Sequence, residues 1–379
     1  MTHYSLKYRI IFTLIPLSVL LIATLTLAEI YIRLFSPYGY VTPEILRARS
    51  PQYDPASFAR FVLQPREQKI KRQEKVVLYI NEKGYRGRNF SVAKPDGFLR
   101  IMVYGGSTVF DSALPEEKDW PHRVEALLRE KGVRNVEVIN AGIPGHTSAE
   151  SVTRLFTEGH LFNPDIVILY DTWNDIKHFR SNKPLLRELQ PYFFRHSDPR
   201  VNYRNVFDRL LCEHSQLYVR LRERYYAWRL RIGAEGRIPT GAYSSKLSEV
   251  ALIQYRLTVS TFVDLARNIN AVPILMTEAR LVALNNDASQ KRRIAYERVL
   301  LTHEILSEAF EKADEIIYSV AKAKDAHLID ASKYLTGRDE LFIDHVHLSP
   351  VGSEELAKRV ASELRQILEN HSPKHKLSV

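Results

Sequence analysis

The stretch LRIMVYGGSTVF, residues 99–110, places two glycines and a serine directly after an apolar run. The run at 101–103 predicts a short buried strand that ends in a glycine turn. Gly105 and Gly106 permit backbone angles and close approaches that other residues exclude. Ser107 would then lie at the carboxyl edge of a sheet, where open α/β sheets bind ligands. A glycine-rich turn alone is a weak motif. The rest of the chain must decide between a functional serine and an ordinary polar turn.

Strand-like and helix-like segments alternate after this stretch. The strand-like runs are FLRIMVYGG, VEVINAG, PDIVILYD, AVPILM and AHLID, and segments with helical periodicity separate them and end the chain. Such alternation predicts βαβ units and a parallel sheet covered on both faces. The sequence therefore predicts an α/β fold. The only cysteine, Cys212, lies in a helix-like segment and predicts a buried structural thiol, and one cysteine excludes an internal disulfide.

The N-terminal segment is apolar enough to span a membrane. Residues 10–28, IIFTLIPLSVLLIATLTLA, form nineteen positions without a charge, which is sufficient for a transmembrane helix. A cleaved signal peptide would have a shorter apolar core and a small-x-small cleavage site, and Thr26-Leu27-Ala28 matches that site poorly. We expect an uncleaved anchor.

Basic residues on the two sides of this segment argue for opposite orientations. Lys7 and Arg9 precede it and favour a cytoplasmic N-terminus, whereas Arg33, Arg47 and Arg49 follow it. Because the leading segment is short and purely basic, we expect a single-pass protein of the cytoplasmic (inner) membrane. Its large C-terminal part would lie on the periplasmic or extracytoplasmic side.

Four polar or glycine-rich stretches follow predicted strands and carry residue types that suit one reaction. They are GGS at 105–107, NAGIPGHTS at 140–148, WND at 173–175 and DHVH at 344–347. Ser107 carries a hydroxyl that can act as a nucleophile only when a base takes its proton, and His347 is a candidate for that base. Asp344 lies in the same loop as His347 and can orient its imidazole. The backbone N–H groups of Ser107 and Gly145, with the side-chain amide of Asn174, could stabilise an oxyanion. Each residue alone also fits an ordinary turn, cap or strand end.

These stretches resemble the four sequence blocks of the SGNH hydrolase superfamily, the GDSL-like esterases and lipases. The resemblance covers about residues 98–370, and it matches Ser107, Gly145, Asn174, Asp344 and His347. Gly145 is preferred to Gly142 because NAGIPGHTS fits the family pattern Asn-x-x-x-x-Gly-x-Ser/Thr. The resemblance implies a flavodoxin-like three-layer α/β/α sandwich, a serine esterase activity, and no metal or organic cofactor.

The chain departs from the family pattern at three positions. Gly106 replaces the aspartate of the GDSL block, Thr172 stands where the asparagine block usually has glycine, and Trp173 precedes Asn174. These departures leave the reaction type intact but make substrate inference from better-known lipases unsafe. Glu278 and Arg280, just after the strand AVPILM, could line the site or pair at the surface.

The resemblance and the apolar segment together suggest a domain plan. We expect a cytoplasmic tip and anchor at 1–33, a basic juxtamembrane arm at 34–97, a catalytic domain at 98–372 and a tail at 373–379. A helical insertion at about 178–248 would interrupt the catalytic domain. The insertion mixes arginine with aromatic residues, and it could cover the site, touch a membrane surface or lie partly solvated.

The sequence thus predicts a membrane-anchored serine esterase that removes short acyl groups, such as acetyl, from carbohydrate or a related exported substrate. An acyltransferase using the same serine is one alternative, and a non-catalytic glycan-binding or scaffold protein is another. The net charge of +10 is concentrated partly in the arm, with eleven Lys/Arg against four Asp/Glu from Arg60 to Arg100. That excess could attract anionic lipid or an acidic polymer, or form a solvated surface. An exported domain makes a nucleic-acid partner unexpected; protein partners are not predicted.

Overall fold

The computed structural model describes residues 6–35, 53–55, 61–63, 66–69, 77–111, 113–115, 117–182, 205–234 and 243–371. The tail predicted at 373–379 and parts of the predicted arm and insertion lie outside these residues. The chain divides into two compact units. The first unit comprises Met1–Pro51 and Gln190–Ile238, and the second comprises Gln52–Leu189 and Pro239–Val379.

The described residues form the following helices and strands. The helices are α1 Leu6–Phe35, α2 Ser107–Phe110, α3 Trp120–Glu130, α4 Ser148–Thr157, α5 Trp173–Ile176, α6 Val206–His214, α7 Gln216–Ala234, α8 Glu249–Asn268, α9 Ala288–Lys291, α10 Tyr296–Val299, α11 His303–Ala323, α12 Ala331–Leu335 and α13 Pro350–His371. The strands are β1 Tyr53–Pro55, β2 Phe61–Leu63, β3 Arg66–Lys69, β4 Val77–Ile80, β5 Leu99–Gly105, β6 Val136–Gly142, β7 Ile166–Tyr170, β8 Val272–Met276 and β9 His327–Ile329.

The second unit is built on a five-stranded parallel sheet with the order β6-β5-β7-β8-β9. Counted along these five strands, this is the 2-1-3-4-5 order of flavodoxin-like folds. Strand β5 therefore lies at the switch point, where Val103 pairs with Asn140 of β6 on one side and Ile168 of β7 on the other. The predicted α/β fold with a parallel sheet is confirmed. Antiparallel pairs β1–β2 and β3–β4 precede the sheet in the chain.

Apolar side chains on both faces of the sheet produce two separate cores. Along β5, Met102 and Tyr104 face one core, and Ile101 and Val103 face the other. Helices α4, α8 and α11 cover the first core, and helices α3 and α13 cover the second. A strand buried on both faces requires a nearly continuous apolar run, which explains why these strands are readable in the sequence. The unit is a three-layer α/β/α sandwich.

The first unit consists of α1, α6 and α7 among its described residues. The insertion is helical here, as predicted, with Ser215 alone separating α6 from α7. Cys212 lies on α6 and is buried, so the prediction of a buried structural thiol is confirmed.

Candidate active site

Three predicted site residues follow three neighbouring strands at the switch point of the sheet. Ser107 begins α2 and is separated from β5 by Gly106 alone. Gly145 lies in the loop after β6, and Asn174 lies on α5 after β7. The carboxyl ends of parallel strands meet at one edge of the sheet, and this edge is where such folds bind ligands. The order of the strands therefore brings these three residues to one crevice.

The two glycines before Ser107 are required by close packing. A β-carbon on Gly105 would lie 2.2 Å from the Tyr170 carbonyl oxygen of the adjacent strand. A β-carbon on Gly106 would lie 2.5 Å from Asn174 Nδ2 and 3.1 Å from the carbonyl oxygen of His146. The aspartate that the GDSL block usually carries at position 106 has no room in this structure.

Ser107, His347 and Asp344 form a continuous line of hydrogen bonds. The Ser107 Oγ lies 2.8 Å from His347 Nε2, and His347 Nδ1 lies 2.7 Å from Asp344 Oδ2. Ser107 and His347 are separated by 240 positions in the chain, so only the fold brings them together. The geometry is that of a hydroxyl nucleophile, its base and the group that orients the base.

A short hairpin holds the aspartate and the histidine in register. Phe342 and Leu348 form an antiparallel bridge, and Asp344 Oδ1 accepts hydrogen bonds from the N–H groups of Val346 (3.0 Å) and His347 (2.9 Å). Burial alone would raise the pKa of Asp344, but the hydrogen bond and charge of the His347 ring outweigh it. The pKa is held well below its usual range. Asp344 is therefore ionised and can stabilise a protonated His347.

Asn174 is oriented by hydrogen bonds at both ends of its amide. Its Nδ2 donates to the carbonyl oxygen of His146 at 2.7 Å, and its Oδ1 accepts from the Lys177 ammonium one helical turn away. Gly145, the residue before His146, has a φ of +90°, a backbone conformation that disfavours other residues. The amide nitrogen of Asn174 therefore faces the loop that contains Gly145 and lies against Gly106.

A buried glutamate connects the serine helix to the asparagine helix. Glu278 accepts a hydrogen bond from the Trp173 N–H at 2.5 Å and another from the Thr108 side chain. Burial raises the pKa of Glu278 to about 7. Arg280 is also buried and pairs with Asp314 at 2.8 Å. The surface pairing considered for Glu278 and Arg280 is therefore wrong, and Glu278 lies directly behind the site.

His345 is a component of the site that the sequence analysis did not identify. Its ring is 3% exposed and lies 4.0 Å, centroid to centroid, from the Trp173 ring. Neither of its ring nitrogens has a hydrogen-bond partner among the described residues. Burial lowers the pKa of His345 to about 4, with the charges of Lys177 and Arg298 acting in the same direction. The ring is therefore neutral and packs beside His347, with the two ring centroids 6.0 Å apart.

Arg86, in the arm motif NEKGYRG, was also missed. Its guanidinium is buried and lies 3.5 Å from Asp119. It donates to four backbone carbonyls at the end of α2 and in the loop that follows, those of Phe110, Asp111, Leu114 and Pro115. A buried arginine that satisfies several carbonyls fixes a loop in one conformation. The only available signal was the motif itself, which does not reveal its distant partners.

The described residues contain no group of three or more His, Cys, Asp or Glu side chains arranged to hold a metal ion.

Solved structures of esterases and a lipase are similar to this chain. They include the acetyl xylan esterase AlAXEase (16% identity, TM-score 0.42, 70% of this chain and 98% of that chain). Others are a GDSL-like lipase from Bacteroides thetaiotaomicron (13%, 0.38, 72% and 89%) and a variant acetyl xylan esterase from Geobacillus stearothermophilus (15%, 0.42, 70% and 94%). No family model and no curated protein matches the chain.

Proposed function

We propose that this protein is a serine esterase whose nucleophile is Ser107. The observation that carries the proposal is the line of hydrogen bonds from Ser107 through His347 to Asp344, with distances of 2.8 and 2.7 Å. A serine hydroxyl at its free pKa is a weak nucleophile and requires an adjacent base that is itself oriented by a third group. All three groups are present with ionised Asp344 as the orienting residue.

The residues support a two-step ester hydrolysis. Ser107 Oγ bonds to the ester carbonyl carbon while its proton moves to His347 Nε2. His347 then returns the proton to the alcohol oxygen as the carbon–oxygen bond breaks, which leaves an acyl-serine. A water molecule, deprotonated by His347, then attacks the acyl carbon. As the bond between the acyl carbon and Ser107 Oγ breaks, His347 returns the proton to Oγ and the acid leaves. Asp344 stabilises the imidazolium in both steps.

The proposed oxyanion site consists of the Ser107 N–H, the Gly145 N–H and the Asn174 side-chain amide. Donors that are fixed before the reaction stabilise developing charge without reorganisation. The hydrogen bonds from Lys177 and to His146 support such a fixed orientation for Asn174. Loss of one donor is expected to lower turnover by roughly 10²–10³.

We propose short acyl groups, with acetyl on carbohydrate as the leading case, as the substrate class. Trp173 directly precedes Asn174, and its ring is buried against His345 beside the proposed base His347. Two large rings at this position reduce the space next to Asn174, which favours a small acyl group.

We propose that α1 is an uncleaved anchor and that the catalytic unit lies outside the cytoplasmic membrane. Leu14–Phe35 has a mean hydropathy of 2.0 and is not buried in the protein. Glu29 accepts hydrogen bonds from the N–H groups of Gln216 and Leu217, and Arg33 donates to the His214 carbonyl. A segment that caps a helix of the mature chain is expected to remain in it, which argues against signal-peptide cleavage. A C-terminal reporter active only in the cytosol would contradict the orientation.

The esterase proposal is tested with the full chain in detergent and p-nitrophenyl esters of increasing acyl length, beside Ser107→Ala. Ser107-dependent release that falls with chain length supports the proposal and its short-chain preference. Acyl transfer to a sugar acceptor in preference to hydrolysis would identify the acyltransferase alternative. Activity unchanged in Ser107→Ala would contradict the assignment of the nucleophile.

A further inference from the structure

Helices α6 and α7 are tied directly to the end of the apolar helix α1. The Glu29 carboxylate accepts from the Ser215 hydroxyl (2.9 Å), the Gln216 N–H (2.9 Å) and the Leu217 N–H (2.8 Å). It thereby satisfies backbone donors that the first turn of α7 leaves without intrahelical partners. Arg33 bonds to Glu29 and to the carbonyl that ends α6, at 2.7 Å in each case. The junction between α6 and α7 is thus fixed against the last two turns of α1.

Helix α6 buries a charged side chain and exposes apolar ones, which is the opposite of what is expected of a helix in water. Asp208, one of its two acidic residues, is buried, where it pairs with Arg222 at 3.0 Å and accepts from the Tyr218 hydroxyl at 2.6 Å. Phe207 on the other side is 76% exposed. Soluble helices bury their apolar stripe and expose their charges. The reversed arrangement indicates that α6 faces an apolar surrounding.

The exposed apolar surface continues from α6 onto α7. We call it the apolar face, and it consists of Val206, Phe207, Leu210, Leu211, Leu221, Tyr225 and Trp228. On α7 its members follow helical spacing, so they share one side of the helix. Contiguous apolar patches of this kind mark interaction or membrane surfaces.

A groove joins this face to α1. The groove has a volume of about 620 Å³, and Leu211 and Leu221 of the apolar face line it together with Leu25 and Ile30 of α1. The apolar face is therefore continuous with the side chains of a helix that has the length and composition to span a bilayer. Glu29 lies six residues before the end of α1, about 9 Å along its axis. Interfacial helices insert to a depth of about 5–10 Å.

We infer that the apolar face of α6 and α7 is inserted into the lipid interface beside α1. The inference rests on the anchor part of the proposed function and is independent of the esterase activity. The occupant is the phospholipid of the membrane that α1 spans, with acyl chains against the apolar face and groove. Exposed Arg224, on the same side of α7 as Trp228, suits the anionic headgroups above them.

Quenching of tryptophan fluorescence by brominated lipid tests this inference in the full chain. The chain has three tryptophans. Trp120 and Trp173 are buried in the second unit, at 0% and 2% exposure, whereas Trp228 is 59% exposed. The protein is reconstituted in vesicles of phosphatidylglycerol and phosphatidylcholine, with or without bromine on the acyl chains. We expect a loss of emission in brominated vesicles that disappears in Trp228→Phe.

Two further variants locate the contact. In the Trp228→Phe background, Phe207→Trp is expected to restore quenching, because position 207 lies on the apolar face. Phe156→Trp is the matched control, since Phe156 is 61% exposed but lies on α4 of the second unit. Its emission should not respond to bromine in the lipid.

Flotation of the same vesicles separates failure of the anchor from failure of the inference. A chain that does not float with the vesicles contradicts the anchor and, with it, the inference. A chain that floats but shows no quenching at positions 228 and 207 overturns the inference alone. Unquenched emission that also resists aqueous iodide would mean that protein, such as a second copy of the chain, covers the apolar face. Esterase activity with p-nitrophenyl acetate is measured separately, because it tests neither the anchor nor the contact of the apolar face with lipid.

Discussion

Gly106 and Asn174 occupy adjoining space, and this contact joins two of the four sequence blocks. The Asn174 nitrogen lies where a side chain at position 106 would begin. Its amide oxygen is held by Lys177 and its nitrogen by the His146 carbonyl. The amide therefore cannot rotate without losing two hydrogen bonds, and its orientation depends on the absence of a side chain at position 106.

A side chain at position 106 should therefore disable the site. Gly106→Ala is expected to lower kcat by roughly 10² or more, because the new methyl group displaces Asn174, the proposed oxyanion donor. Gly132→Ala is the matched control, since its β-carbon would meet no atom within 4 Å although its φ is +97°. It should lower stability by about 1 kcal/mol and leave kcat unchanged. Equal kcat in Gly106→Ala and the wild type, in p-nitrophenyl acetate hydrolysis, would contradict this account of the site.

Lys177 is expected to act through Asn174 as a positioning residue. Lys177→Met should reduce kcat by about 10-fold with little change in KM, since it removes the hydrogen bond that orients the oxyanion donor. In the Asn174→Ala background the same change should have no further effect on kcat. Additive losses in the double variant would show that Lys177 acts independently of Asn174. Lys131→Met, at an exposed position at the end of α3, controls for loss of charge.

At the scale of elements, the loop after α2 depends on a residue from outside the sandwich. Arg86 lies between β4 and β5 and satisfies four carbonyls at the end of the serine helix and in the loop that follows. The arm motif therefore has a structural role beside the site. The hairpin at Phe342–Leu348 supports His347 from the opposite side of the serine.

Arg86→Met should destabilise the second unit by about 3–5 kcal/mol, because it leaves several buried carbonyls without their donor and removes the buried cation beside Asp119. Arg88→Met is the control two residues away. Its side chain is half exposed and pairs with Glu125, so its loss should cost about 1 kcal/mol or less. Urea unfolding followed by tryptophan fluorescence measures both. Similar midpoints for the two variants would contradict the structural role of Arg86.

The elements themselves were largely readable from the sequence. Strands buried on both faces require unbroken apolar runs, and the helices between them keep their apolar spacing. The alternation therefore predicted the sheet, and the block residues predicted which strand ends matter. Arg86, Lys177 and His345 could not be predicted in their roles, because each role depends on a partner that only the fold brings near. In the segment DHVH, the sequence alone does not distinguish His345, which is buried and neutral, from His347, the proposed base.

At the scale of the whole molecule, buried carboxylates make stability depend on pH. Burial raises the pKa of Glu278 and of Asp175 to about 7 in each case. Between the ordinary pKa of 4.5 for Glu278 and about 7, the unfolded state releases its proton and the folded state retains it. The free energy of unfolding should therefore fall as pH rises through this window.

Glu278→Gln is expected to remove part of this dependence. Relative to the wild type, the variant should gain about 3 kcal/mol of stability between pH 4.5 and pH 8, since glutamine carries no proton to lose. Urea unfolding at a series of pH values measures the difference. Glu130→Gln, at an exposed position on α3, serves as control. If the free energies of unfolding of Glu278→Gln and the wild type differed by the same amount at every pH, the raised pKa of Glu278 would be contradicted.

The two compact units correspond to two separate proposals, catalysis by the second unit and lipid contact by the first. The site is contained entirely in the second unit, whereas α1, α6 and α7 belong to the first. Changes in the apolar face are therefore expected to alter membrane contact without altering the residues of the site.

The central claim is that Ser107 is an activated nucleophile, and covalent labelling tests it most directly. The full chain in detergent is treated with a fluorophosphonate, and the adduct is located by peptide mass spectrometry. We predict one adduct per chain at Ser107, abolished in Ser107→Ala and strongly slowed in His347→Ala, because the line of hydrogen bonds activates the hydroxyl. Absence of an adduct at Ser107 in the wild-type chain, or labelling at an equal rate in His347→Ala, would contradict the account.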